Sequence, residues 1–597
     1  MPPAQDTAPP PRPGSEEEIG FERQPMVAWL APSSLVKAGL EVFVSGVFSR
    51  FLDKRELQGG LPGYGEDLIQ DAPPTPPYGD GRYRDEDGAL WLDYAADVGE
   101  GFDPTYTVAW LLGRQTLELG GHTTRRGRLL ILGGDQVYPG ASWQGYSERF
   151  TGPYRAALPH LPSEEVPHLY AIPGNHDWYD GLTSFVRLFA QGGWIGAWRT
   201  RQRRSYFALR LSESWWLWGV DTQFDTYIDG PQLEYFRKAS EDLQAGHRVI
   251  LATAKPSWVA ANPQSGPEVN KEGSWATVSF LEEKVVGGSE GEVAVTISGD
   301  RHHYAHYSRE SGDGPEHRIT AGGGGAHTMG THGLSQSLKL PSADPEKDPS
   351  RYELGATSPT PAESAEMRDR GVISAVMRER GLGVLIGAMY ALLALAVADG
   401  VKDHASGLVN PPDGFSLPAV LFDAGTQWSI GLLVVLFVGI WRFADVKDRQ
   451  VKLRVAARHW FEHVLLALIA PFALILLLDG TGVADEGLAV GWIAASASFA
   501  IGYSLGRLAF ASYLLRLNRS GPRRHAGEIF GALGSTEYKN FVRMKIDGDE
   551  RLTIYPVGIP RAVGWRFEPE GETDAPWFVP EGEEPEPGLI EPPIVVG

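Results

Sequence analysis

The sequence predicts an α/β domain followed by an all-α domain of four membrane-spanning helices. Three observations carry this reading. Between Trp91 and His332, short apolar, β-prone runs alternate with stretches of helical spacing. Three of those runs are followed directly by clusters of Asp, Asn and His. Past residue 365 the composition changes abruptly to long apolar stretches.

Residues 1–22 are Pro-rich as far as Pro13 and acidic at Glu16 to Glu18, the composition of a disordered tail. They lack the basic start and apolar core of a signal peptide, so the first globular part is expected in the cytoplasm. Met26 to Leu52 places Trp29, Leu30, Leu35, Leu40, Val42, Phe43, Val47, Phe48 and Phe51 at helical spacings, an amphipathic helix expected to pack on the main domain, with a membrane-surface helix as the alternative. Residues 59–82, rich in Gly and Pro, form a loop. Strands are expected at Leu129 to Leu132, Leu169 to Ile172, Tyr206 to Leu211, Trp215 to Val220, Val249 to Thr253, Val293 to Ile297 and Arg318 to Ala321. Val108 to Leu119 and Pro231 to Leu243 have helical character. Ser212-Glu213-Ser214, between two β-rich runs, marks a hairpin, so part of the sheet is antiparallel.

The catalytic domain is placed at 23–340 and a polar linker at 341–380. A four-span domain follows at 381–515, with apolar stretches at Leu382 to Val397, Trp428 to Trp441, Val464 to Leu478 and Leu488 to Phe510. Flanking charges decide against soluble core helices. Arg368, Arg370, Arg378 and Arg380 precede the first stretch; Arg442, Lys447, Arg449, Lys452, Arg454 and Arg458 separate the second from the third; Arg516, Arg519, Arg523 and Arg524 follow the fourth. The alternate loops are acidic, with Asp399, Asp403, Asp413 and Asp423 against Lys402 in one and Asp479, Asp485 and Glu486 in the other. This alternation predicts a multi-pass inner-membrane protein with both termini cytoplasmic. Glu462 and His463 sit near a span end and can snorkel, whereas Arg507 lies within the fourth span. Residues 525–567 contain a hairpin, Tyr538 to Ile546 and Arg551 to Ile559 about Asp547-Gly548-Asp549-Glu550, available to dock on the catalytic domain. Residues 568–597 form an acidic, Pro-rich tail.

The net charge of -21 argues against nucleic-acid binding, which needs clustered Lys and Arg. With no cysteine, disulfides and thiolate metal sites are excluded. Any metal must be held by oxygen or imidazole. Gly134-Asp135, Gly174-Asn175-His176-Asp177 and Gly299-Asp300-Arg301-His302-His303 supply such donors, each directly after a predicted buried strand. Rigid strand ends of this kind suit a metal site.

In the order and spacing of these blocks the chain resembles the calcineurin-like metallophosphoesterase superfamily, in a membrane-anchored bacterial branch, over roughly residues 90–332. Three departures stand out. Asp97-Val98-Gly99 has Gly99 where the family has His, Ala254 stands at the place of a lone His, and Asp300 replaces the first His of the last block. The resemblance implies a two-sheet sandwich flanked by helices and two divalent ions. Asp97, Asp135 and His302 would hold one ion, and Asp135, Asn175 and Asp300 the other, with Asp135 the shared carboxylate. His176 would protonate or stabilise the leaving oxygen and Asp177 would orient its imidazole. Arg301 and His303 would bind substrate phosphate or support the ligands. The lost imidazoles make the site harder, favouring Mn²⁺, with Mg²⁺, Fe or Zn²⁺ as alternatives. Glu100, Asp103, His303 and His332 are candidates to fill the vacated positions. Gly322 to Gly325 either lets backbone approach the site or forms a turn. Asp221 and Gln223 either shape the rim or are structural.

The function expected is metal-dependent hydrolysis of a phosphomonoester, phosphodiester or pyrophosphate at the cytoplasmic face, on a substrate whose membrane location suggests a lipid link. The alternative is a weakened metal-binding scaffold or sensor coupled to the membrane helices.

Overall fold

The structure is a computed structural model that describes residues 12–34, 58, 60–61, 64, 78, 81–222, 228–262, 274–309, 316–401, 424–479 and 487–597. Residues 35–52 of the expected N-terminal helix, most of the loop at 59–82, Gln223, Asp403, Asp413, Asp423, Asp485 and Glu486 lie outside the described residues. The chain divides into two compact units. The first comprises Met1–Val27, Lys37–Ser364 and Gly534–Gly597, and the second Ala28–Val36 and Ala365–Leu533.

The first unit is built on thirteen principal strands: β1 (Leu90–Ala95), β2 (Leu129–Leu132), β3 (His168–Ala171), β4 (Phe207–Arg210), β5 (Trp215–Val220), β6 (Arg248–Thr253), β7 (Glu292–Ser298), β8 (Tyr304–Ser308), β9 (His317–Ala321), β10 (Ser337–Leu340), β11 (Ser350–Ser358), β12 (Glu537–Ile546) and β13 (Leu552–Arg561). One sheet runs β13-β12-β1-β2-β3 and continues through Trp198–Thr200 and Trp194–Ile195. The other runs β10-β11-β8-β9-β7-β6-β5-β4. β1, β2 and β3 are parallel, as are β5, β6, β7 and β9. β4 and β5 form the antiparallel hairpin about Ser212-Glu213-Ser214.

Side-chain alternation stacks the sheets. Leu90, Leu92 and Tyr94 of β1, with Leu129 and Ile131 of β2, share one core with Trp215 and Leu217 of β5 and Ile250 of β6. The opposite faces are covered separately. Leu130, Leu132 and Leu169 pack with α1 (Phe102–Gly113), and Trp216, Trp218 and Leu251 pack with α2 (Gly230–Ser240). β1 is therefore buried on both faces, and Asp93, pointing away from the shared core, is neutralised by Arg543 of β12 at 2.7 and 3.2 Å. That buried pair fastens the C-terminal hairpin to β1, which pairs with β12 over Leu90 to Tyr94.

Three segments differ from the sequence reading. The span 341–380 is not a linker throughout, because β11 joins the second sheet between β8 and β10. Residues 568–597 are not a free tail: Phe578–Pro580, Gly588–Leu589 and Ile594–Val596 are strands, and Ile594 and Val596 enter the shared core. Of the expected N-terminal tail, Ile19 is buried, and Arg12 donates to the carbonyls of Glu568, Ala575 and Pro576. Backbone acceptors and isolated aromatics order both segments without an apolar run to announce them.

The second unit is helical. α3 (Pro361–Arg378) leads into it, followed by α4 (Arg380–Val401), α5 (Ala424–Phe443), α6 (Arg449–Asp479), α7 (Gly487–Ile501) and α8 (Arg507–Ser520). All four apolar stretches are thus helical. Among the described residues, Gly491–Ser520 alone is one helix long and apolar enough to cross a membrane. α3 and α4 qualify only as a pair bent by 67°, and Trp428–Phe443 is shorter. Large apolar side chains, Trp428, Val435, Leu465 and Trp492, are exposed, while the polar His459, His463, Ser498 and Arg507 are buried, as are apolar residues such as Leu382, Ile386 and Leu393. Arg507 has a structural task, since its guanidinium donates to Met377 O at 2.8 Å at the end of α3.

Candidate metal centre

The parallel strands deliver the candidate ligands at their C-terminal ends. Asp97 follows β1, Asp135 follows β2, Asn175 follows β3 and Asp300 follows β7. Ligand sites of α/β sheets form at such ends. The loops are tied together by backbone: Asp97 N donates to Gly134 O at 3.0 Å and Val98 N to Asp135 O at 3.1 Å. Asp97, Asp135, Asp300 and His302 all take the left-handed conformation, at φ 59°, 52°, 67° and 39°. Non-glycine residues seldom adopt it, and such strain collects where surroundings enforce a functional geometry.

The glycines beside them are required by space. A Cβ on Gly174 would stand 2.2 Å from Asp135 Oδ1, and one on Gly322 2.5 Å from Asp97 Oδ2. Gly322 to Gly325 therefore let backbone approach the site; a Cβ on Gly325 would meet Val98 O at 1.9 Å. Gly99 belongs to the same set, for its Cβ would stand 2.1 Å from Gln136 O. A histidine here, which the resemblance implies, would have no room for its Cβ between the two loops.

Three carboxyls face one another. Burial, then Asp135 and Asp300, pushes Asp97 well above the usual carboxylate range. Burial likewise raises Asp135 from 3.8 to about 6, with His176 opposing and Asp300 adding. Asp97 Oδ1 accepts from Tyr138 Oη at 2.8 Å, and Oδ2 accepts from the Asp300 amide at 2.8 Å. The same phenol lies 3.0 Å from His302 Nε2, and Asp97 Oδ1 lies 3.5 Å from it. Asp135 Oδ1 accepts from the His176 amide at 2.8 Å.

Asp97, Asp135, Asp300, His302 and His176 are thus brought together. Asn175 lies on the same helical turn as His176, and its amide donates to Tyr179 Oη at 3.3 Å. Among the described residues, no group of three or more His, Asp or Glu side chains is placed to hold a metal ion. The donor set nevertheless fits a hard divalent cation in charge: three buried or half-buried carboxyls repel one another, and a cation would relieve that repulsion.

Several roles implied by the resemblance change. Asp177 does not serve His176. Its carboxylate accepts from Gly174 N at 2.8 Å and from Tyr146 Oη at 2.5 Å, closing the short helix it belongs to. The partner at His176 Nδ1 is Pro139 O, 2.6 Å away. His303 is buried, and burial, then Arg301, lowers it to about 3, so it stays neutral and offers no charge to a phosphate. Arg301 is 39% exposed and 3.4 Å from Asp300 Oδ2. Three of the vacancy candidates have partners of their own. Glu100 accepts from His327 Nδ1 at 2.9 Å, Asp103 pairs with Arg23 at 3.5 Å, and His332 bonds Ser364 at 2.6 Å. Asp221 is structural, taking Trp178 Nε1 and Ser205 Oγ.

Sequence reasoning missed Tyr138, His327 and Lys539. Tyr138 was findable, three residues beyond Asp135 in the same loop. His327 presents its carbonyl to His302 Nδ1 at 2.9 Å. Lys539 of β12 is fully buried and donates to Ala326 O and to Thr328 Oγ1. Burial pulls it down to about 7 against the pull of Glu100 and Asp97.

A pH dependence follows. An acid whose folded pKa is raised stabilises the fold below its unfolded pKa and loses that contribution as pH rises through the folded one. The metal-free chain is expected to lose stability between about pH 4 and about 6, the interval over which Asp135 is displaced. Saturating Mn²⁺ should remove the loss. Melting curves with chelator and with Mn²⁺ across that window check it, and parallel trends would refute it.

No family model matches the chain, and no curated protein matches it. Among solved structures it is similar to GAP50, the anchor in the inner membrane complex of Plasmodium, at 11% identity and a TM-score of 0.31, over 45% of this chain and 89% of that one. It is also similar to the purple acid phosphatase PPD1 from yellow lupin (Lupinus luteus) seeds, at 14% identity and a TM-score of 0.29, over 41% of this chain and 46% of that one.

Proposed function

We propose that this chain is a metal-dependent phosphoesterase of the cell membrane, with its α/β unit on the cytoplasmic side and four crossings in its helical unit. The observation that carries the reading is the set of strained carboxylates and His302 gathered at parallel strand ends around a half-buried His176. The four crossings are supported by the alternating loop charges and by the large apolar side chains that the helices expose.

Asp97, Asp135 and His302, with the Tyr138 phenol between them, would hold one divalent ion. Asp135, Asn175 and Asp300 would hold a second, and oxygen-rich donors favour Mn²⁺ or Mg²⁺ over Fe or Zn²⁺. Bound there, such ions would neutralise phosphate charge and lower the pKa of a coordinated water. The chain's own groups do the rest. Pro139 O can only accept, so His176 Nδ1 carries a proton and the ring is held in one orientation. Protonated at Nε2, it would donate to the departing oxygen of a phosphoester. Arg301 would meet a non-bridging phosphate oxygen. Asp177 keeps the His176 turn in place by capping it, and acts on the imidazole only through that.

The test is Mn²⁺-dependent hydrolysis of p-nitrophenyl phosphate and of its bis-ester by the full chain in detergent. The expected result is turnover of one or both that is lost with chelator and returns with Mn²⁺. Retained Mn²⁺ binding without turnover of either ester would favour the scaffold reading instead.

A further inference from the structure

Residues 365–533 of the helical unit are inserted between Ser364 and Gly534, and both ends of this insert are hydrogen-bonded to one short loop of the α/β unit. On the N-terminal side, Ser364, buried in the first turn of α3, accepts from Thr331 N at 2.9 Å and His332 N at 3.2 Å. On the C-terminal side, Thr328 N donates to Ser535 O at 3.1 Å, Thr328 Oγ1 donates to Glu537 O, and Lys539 donates to Ala326 O and Thr328 Oγ1.

That loop also holds the candidate centre. Ala326 N donates to Asp97 O at 2.8 Å, Met329 N to His302 O at 3.2 Å, and His327 O faces His302 Nδ1 at 2.9 Å. Thr328, Thr331, Ser364 and Lys539 are all fully buried. The strap itself is buried at Ala326 to Thr328 and at Thr331, and half-buried at Met329, Gly330 and His332. Packed, hydrogen-bonded segments of this kind transmit displacement because they have few alternative arrangements.

We propose that residues 326–332 are a strap through which Ser364 and Lys539 act as positioning residues for Asp97 and His302, so that the two ends of the 365–533 insert set the geometry of the centre. The inference rests on the reading of Asp97 and His302 as parts of the reacting centre. It gives the inserted helices a bearing on that centre beyond anchorage.

The experiment uses the full chain in detergent, wild type beside Ser364→Ala, Ser364→Thr and Ser279→Ala. Ser279 is a control, a buried serine bonded to Ala276 O in a helix remote in sequence from the strap. Amide hydrogen exchange is followed without metal, and kcat and KM for p-nitrophenyl phosphate are measured with Mn²⁺. Ser364→Ala should accelerate exchange at Ala326 and Met329, beyond the directly affected Thr331 and His332, by about fivefold, and lower kcat by a similar factor at unchanged KM. Ser364→Thr should restore both, and Ser279→Ala should alter neither. Exchange confined to Thr331 and His332, with kcat at the wild-type value, would overturn the strap. Wild-type protein that neither binds Mn²⁺ nor hydrolyses the ester would sink the phosphoesterase reading instead, while the exchange data still decide on the strap.

Discussion

Asp135→Asn is expected to lower Mn²⁺-dependent phosphoester hydrolysis by on the order of 10³-fold, the scale of losing several kcal/mol of charge stabilisation. The substitution is nearly isosteric. Its amide oxygen can still accept the His176 N–H that Asp135 Oδ1 now takes at 2.8 Å, and it still fits against Gly174, where there is no room for a larger group. What it removes is a negative charge that burial, Asp97 and Asp300 all resist in the metal-free protein. Two opposite effects should therefore appear together: activity and Mn²⁺ affinity fall, while the metal-free fold gains stability near neutral pH. Calorimetric Mn²⁺ titration, turnover and melting in chelator read the three quantities. Activity at the wild-type level would remove Asp135 from the mechanism.

The parts of the fold that sequence revealed were those with a strong local pattern. β5 falls on the predicted Trp215 to Val220 because a strand buried on both faces is apolar throughout. β11 was read as linker because most of Ser350–Ser358 is exposed or half-buried, so only Tyr352 is fully withdrawn from water. The helix predicted to reach Leu119 stops at Gly113; Arg114 turns extended and Thr116–Leu119 pairs with His122–Arg125. The apolar residues of that strand fit either period, and the break had to be taken from Gly113 alone.

At the site, residue types at strand ends were legible and their partners were not. Asp177 stands next to His176 in sequence, which suggested a carboxylate and imidazole pair. In three dimensions it sits at the third position of a helical turn, where it accepts from the Gly174 amide that opens the turn and from Tyr146 Oη. Lys539 had no local signal at all. It enters on a strand that follows the whole helical unit, and only the pairing of β12 with β1 brings it to Ala326.

Gly99→His, which would install the imidazole that the sequence resemblance implies, is expected to destabilise the chain by on the order of 4 kcal/mol or to prevent folding. The new Cβ would meet Gln136 O at 2.1 Å, Gln136 C at 3.0 Å and Val137 Cα at 3.2 Å, all backbone that cannot swing aside. Relief requires parting the loops, at the expense of Tyr138 N to Gly99 O at 2.9 Å and Val98 N to Asp135 O at 3.1 Å. Those bonds hold Asp97 and Asp135 in their strained conformations, and Tyr138 with them. Ala254→His places an imidazole at a different strand end, again where the sequence resemblance implies one, and supplies the contrast. Ala254 is half-buried, with its Cβ beside Gly134, which has no side chain of its own to clash. That variant should fold and bind Mn²⁺ or Zn²⁺ more tightly. Thermal unfolding of both variants, with metal titration of whichever folds, separates the cases. A Gly99→His chain as stable as the wild type, with raised metal affinity, would show that the loops part easily and that steric closeness does not exclude His there.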